Sequence, residues 1–144
     1  MARIKFELPD SFSYSTDLSI YIGHVNYGGH LDNAQLIQLL GEARVRFFQS
    51  LGYTELDVEG LSIVVSDHVV QYRSEGFHGE TIRVQMVPQD LNQYGFDLVY
   101  RMDCLETPRE LARGKTGIVF IDRTTKKVAR IPPLFIERLP QCLD

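Results

Sequence analysis

The stretch His24-Val25-Asn26-Tyr27-Gly28-Gly29-His30-Leu31-Asp32-Asn33 runs without a break into Ala34–Leu51, AQLIQLLGEARVRFFQSL, and then stops at Gly52. Two adjacent glycines in a polar loop rule out regular structure over Gly23–His30. Asp32 and Asn33 are both good N-cap residues, the following residues are strong helix formers, and Gly52 is a typical residue just past a helix end. A single long helix over 34–51 is therefore expected. Leu36, Leu40, Ala43, Phe47 and Leu51 recur at helical spacing, and Ile37 with Phe48 widens that face. Gln35, Gln38, Glu42, Arg46 and Gln49 trace a polar stripe. Most of the helix circumference should be covered. Gly41 lies mid-helix, where glycine costs about 1 kcal/mol relative to alanine, so a close backbone or ligand approach is expected there.

Upstream, Arg3, Lys5 and Glu7 alternate with Ile4, Phe6 and Leu8, the period of a half-buried strand ended by Pro9. Leu18–Ile22 is a second short apolar run. Downstream, four strand-like blocks follow with no helix between them: Leu61–Tyr72, Thr81–Val87, Tyr94–Cys104 and Leu111–Ile121. In the third, Phe96, Leu98, Tyr100, Met102 and Cys104 share one face, opposite Asp97, Arg101 and Asp103. Consecutive strands of this kind pair antiparallel. Asp122–Lys127 reads as a tight turn, and Pro132-Pro133 as the start of a short tail. The fold class is α+β, with a sheet curled around one helix.

The chain has 144 residues, of which 44% are hydrophobic and 24% charged, values suited to one globular domain over 1–144 that needs neither metal nor disulfide to fold. A net charge of −4 argues against a nucleic-acid partner. Lys126, Lys127 and Arg130 form the only basic cluster and read as a solvated turn. Cys104 and Cys142 stand alone, without CxxC spacing, which fits a reducing cytoplasm. The N-terminus offers no apolar leader, and no run approaches the ~18 residues of a membrane span, so neither export nor a membrane partner is expected. The four histidines lack the spacing of a metal site, and no cofactor is implied. Ser66-Asp67-His68 is not a triad, because strand neighbours point to opposite faces.

The loop, the following Glu42-Ala43-Arg44, and the later Gly79-Glu80-Thr81, Tyr94-Gly95-Phe96 and Ala112-Arg113-Gly114 together resemble the 4-hydroxybenzoyl-CoA thioesterase family of hotdog proteins. The resemblance implies a hotdog fold and an acyl-thioester hydrolase acting on acyl-CoA or acyl-carrier-protein substrates, assembled as a homodimer or homotetramer. It also implies that the backbone amide of Asn33 polarises the thioester carbonyl, a task for which a helix N-terminus is suited. The family's loop carboxylate falls on Asn26 and an earlier aspartate on His24, so the base must lie elsewhere. Glu42, Asp32 and His30 are the candidates. Glu42 could equally pair with Arg46, Asp32 could simply cap the helix, and His30 could be a satisfied loop residue. Asn26 either orients the thioester or bridges its own loop. His24, Tyr27 and Gly29 are expected to touch the substrate, with the acyl group along the helix near Gly41. Two alternatives remain: a non-catalytic acyl-thioester binding protein, and a hotdog hydratase or dehydratase with a histidine facing a carboxylate.

Overall fold

The computed structural model describes residues 3–140. Its elements are β1 (Tyr14–Ser19), a 3-10 turn (Ile22–His24), α1 (Asn33–Ser50), β2 (Ser62–Tyr72), β3 (Thr81–Gln89), β4 (Gly95–Cys104), β5 (Arg109–Ile121) and α2 (Pro133–Arg138). The strands form one antiparallel sheet in the order β1-β3-β4-β5-β2. Its inward face carries Phe96, Leu98, Tyr100 and Met102 from β4, packed with Leu36, Leu40, Ala43, Phe47 and Phe48 of α1 in one core. Fully burying a side chain the size of these phenylalanines stabilises the fold by about 1.5–3 kcal/mol each.

Asp32 caps α1 and Gly52 takes a φ of +87°, so both helix ends fall where the sequence places them. Coverage of the helix is narrower than its composition suggests. Leu39 is buried, whereas Ile37 is half-buried and Val45 is exposed, because the sheet curls around one side only. β2 forms an edge of the sheet, joined to β5 with a register shift between Val65 and Asp67. Gly114 makes that junction possible: a Cβ there would overlap the Val69 carbonyl oxygen.

Three expectations are corrected. Residues 3–8 form no strand: they lie across the outer face of the sheet as a strap held by side-chain packing and side-chain donors, with no strand ladder. Phe6 and Leu8 pack with Phe12, Val87 and Val99, and the carbonyls of Ile4 and Phe6 accept from the Gln71 and Arg113 side chains. The loop expected to be wholly irregular opens with the 3-10 turn, and the Leu18–Ile22 run is divided between the end of β1 and the start of that turn. The segment after Pro132 is a helix rather than a tail, with Pro133 at its first turn, where a missing N–H costs nothing. Its Phe135 is buried against Phe48, Phe96 and Phe120. Cys104 is buried and unbridged, and Cys142 lies outside the described residues. No helix among the described residues is long and apolar enough to cross a membrane.

Candidate active site

The glycine-rich loop is held mainly by its own groups. Asn26 donates its N–H to the His30 carbonyl at 3.0 Å, and its own carbonyl accepts from Gly29 at 3.0 Å. Gly29 has a φ of +85°, a region that side chains disfavour, which is why glycine stands there. The Asn26 side chain is fully engaged: Oδ1 accepts from Gly28 N–H at 2.9 Å, and Nδ2 donates to Asp32 Oδ1 at 3.3 Å. Tyr27, at the tip, projects into solvent.

Asp32 closes the loop and starts the helix. Its Oδ2 accepts from Ala34 N–H at 3.0 Å and from Gln35 N–H at 3.3 Å, while its backbone carbonyl accepts from Leu36 N–H. The Asn26 amide, followed by the Gln35 N–H, holds the Asp32 carboxyl below the ordinary aspartate value. Ala34, Gln35 and Leu36 are thus all satisfied, leaving the N–H of Asn33 as the first-turn amide without a partner among the described residues.

Asn33 lines a cleft of about 310 Å³ whose walls also include His30, Leu36, Tyr72, Arg73 and Glu75. His30 Nδ1 lies 3.2 Å from the Leu31 carbonyl, which can only accept, so the ring proton resides on Nδ1. In a neutral ring of that tautomer the lone pair falls on Nε2, which lies 3.8 Å from Glu75 Oε1. Tyr72 closes the opposite wall, donating its hydroxyl to the Asn33 carbonyl at 3.0 Å. Burial, then the nearby Asp32 charge, raises the pKa of this phenol.

A second cleft of about 300 Å³ lies along the flank of α1, and none of its lining residues belongs to the first. It holds His24 and Glu42, which the fold therefore separates from Asn33 and His30. Glu42 accepts from Arg46 Nε at 2.8 Å, and Arg46 Nη1 donates to the Thr16 hydroxyl at 3.0 Å and the Asp17 carbonyl at 2.9 Å. His24 stacks on Tyr21, and its Nδ1 accepts the Tyr21 N–H at 2.9 Å, which fixes the proton on Nε2. Gly41 meets no close neighbour: an added Cβ would have only the Arg44 Nη2, 3.9 Å away.

Tyr72 and Arg73 were missed in the sequence reading. The signal for Tyr72 was its two-residue spacing from Val70 at the end of a strand block, which puts both on one face. His68, by contrast, faces Thr116, with Nδ1 3.2 Å from that hydroxyl, and burial, followed by the Arg44 charge, lowers its pKa. No group of three or more potential metal ligands gathers among the described residues.

An antiparallel sheet curled on one long helix is a hotdog fold, and the family match makes the chain a thioester hydrolase. Residues 20–139 match the model of the thioesterase-like superfamily, and the chain belongs to that superfamily. A protein of Synechocystis sp., provisionally named an esterase, is 27% identical over 119 residues, covering 81% of this chain and 72% of that one. Among solved structures, a 1,4-dihydroxy-2-naphthoyl-CoA thioesterase from Synechocystis superposes with a TM-score of 0.80 at 17% identity, over 88% of this chain and 95% of its own. A 4-hydroxybenzoyl-CoA thioesterase, solved as an aspartate-to-asparagine mutant with 4-hydroxybenzoyl-CoA, gives 0.81 at 12% identity, over 90% and 99%.

Proposed function

We propose that this protein hydrolyses acyl-CoA thioesters to the free acid and coenzyme A at the cleft beside the start of α1. The observation that carries the reading is that Asn33, whose N–H has no partner among the described residues, and His30 line one cleft. The thioester carbonyl oxygen accepts from Asn33 N–H, where the helix dipole favours the charge that develops on it. Water attacks the carbonyl carbon while His30 Nε2 takes its proton. As the tetrahedral intermediate collapses, the carbon–sulfur bond breaks and the imidazolium returns that proton to the departing thiolate. Glu75, 3.8 Å from Nε2, stabilises the protonated ring.

Asn26 and Asp32 support this chemistry without carrying it, since their side chains already hold the loop and the cap. Coenzyme A is favoured over a carrier protein because the two solved relatives described above are named for CoA esters. The unit is a single domain over 1–144, assembling as a homodimer or homotetramer through the open edge of β2. A hydratase would draw on His24 and Glu42, which line one cleft, but Glu42 is tied to Arg46 and His24 to Tyr21. The test is release of free thiol from a panel of acyl-CoA and aryl-CoA esters. Turnover above background supports the reading, and none with any ester would defeat it.

A further inference from the structure

Most cations of the sheet are held by carboxylates: Arg83 by Asp17, Arg101 by Asp103, Arg109 by Glu80, Arg113 by Glu110 and Lys115 by Asp97. Arg73 is different. It lines the same cleft as Asn33 and His30, and its guanidinium enters no hydrogen bond or ion pair among the described residues. Its side chain is exposed, while its backbone is pinned. The Arg73 and Ser74 amides both donate to the Leu111 carbonyl, at 2.8 and 3.3 Å, and the Ser74 hydroxyl donates to the Glu110 carbonyl at 2.7 Å. The carboxylates that could neutralise it are engaged elsewhere: Glu110 feels its charge but is held by Arg113, Asp32 caps the helix, and Glu75 faces His30.

Arginine stays protonated and matches a carboxylate with a two-pronged hydrogen bond. An anion on the ligand would complete the wall. The cleft, about 310 Å³, corresponds to on the order of ten waters at ~30 Å³ each, room for a thioester and a short acyl or aryl group. The phosphates of coenzyme A stand at the far end of the pantetheine arm, many bonds from the sulfur, and so outside this space. Building on the hydrolytic reading, we infer that Arg73 is a specificity residue that selects acyl groups bearing a carboxylate, such as short dicarboxylic or carboxyaryl thioesters.

The experiment compares glutaryl-CoA with pentanoyl-CoA, and the same acyl groups on N-acetylcysteamine, in the wild type, Arg73→Ala and Arg73→Lys. The wild type prefers the glutaryl ester, and Arg73→Ala lowers kcat/KM for glutaryl esters on both carriers by on the order of 10–100-fold, leaving pentanoyl esters within about twofold. Arg73→Lys recovers part of the loss. Equal losses for both acyl groups, or a loss seen on coenzyme A and absent on the truncated carrier, would overturn the assignment in favour of a general or phosphate contact. Binding of the non-hydrolysable ketone analogues of both CoA esters is measured in parallel. If no ester turns over, the hydrolytic reading fails by itself, while a glutaryl preference in binding that Arg73→Ala abolishes still supports the role of Arg73, and equal binding of the two analogues overturns it.

Discussion

The two clefts beside the glycine-rich loop have nearly the same volume and each contains a histidine and a glutamate, yet their chemistry is opposite. Along the flank of α1, Glu42 is held by Arg46 and the His24 lone pair is filled by a backbone N–H. At the helix start, groups stay open: among the described residues the Asn33 amide has no acceptor and His30 Nε2 no hydrogen-bond partner. What separates a working surface from a structural one here is which atoms the fold leaves unsatisfied, since the residue types are shared.

The largest expected effect tests that contrast directly. His30→Gln should lower kcat/KM by roughly 10²–10⁴-fold, the usual range for losing a positioned base, while Glu42→Gln stays within about twofold. Steady-state kinetics on both variants decides, and equal losses would move the active site to the flank. Next, Asn33→Pro deletes the open amide and little else. Proline is well tolerated at the first helical position, and the preceding Asp32 sits at ψ 142°, a backbone setting compatible with a following proline. We expect kcat to fall about 10²–10³-fold with the helical circular dichroism and melting temperature kept; unchanged kcat would remove Asn33 from the reaction.

Asn26→Asp should act on stability through charge. In the wild type, the depressed Asp32 pKa contributes stability that is present above the ordinary aspartate value of 3.8 and is lost as pH falls through the folded-state value. A second carboxylate facing Asp32 raises one of the two pKa values, so the variant's deficit grows as pH rises from about 4 to 7. Melting curves at both ends of that range check this, and a deficit independent of pH would refute the like-charge contact. The smallest effect belongs to Arg46→Met, which breaks an i,i+4 ion pair worth about 0.3–0.5 kcal/mol and two hydrogen bonds to β1. Its melting temperature should drop a few degrees with catalysis intact.

Much of this was readable from residue order. Helix α1 announces itself because cap, periodicity and terminating glycine agree over Asp32–Gly52, and His30, Asp32 and Asn33 are neighbours in sequence as well as in space. The strap was misread because alternation of apolar and charged residues marks any extended chain lying on an apolar surface, whether or not a strand pairs with it. Pro132-Pro133 reads as an end in sequence, although proline starts helices as readily as it stops them. Tyr72 and Arg73 stayed hidden because Tyr72 reaches Asn33 across 39 residues, a distance that only the paired sheet closes. Least legible was occupancy. That Asn26 is tied to its own loop and Glu42 to Arg46 depends on side-chain geometry, which residue type alone leaves open.

The strap closes part of the sheet's outer face to stacking. Phe6, Leu8 and Phe12 already occupy the patch at Val87 and Val99, so a second sheet arriving from outside would have to displace a bound segment before it could stack.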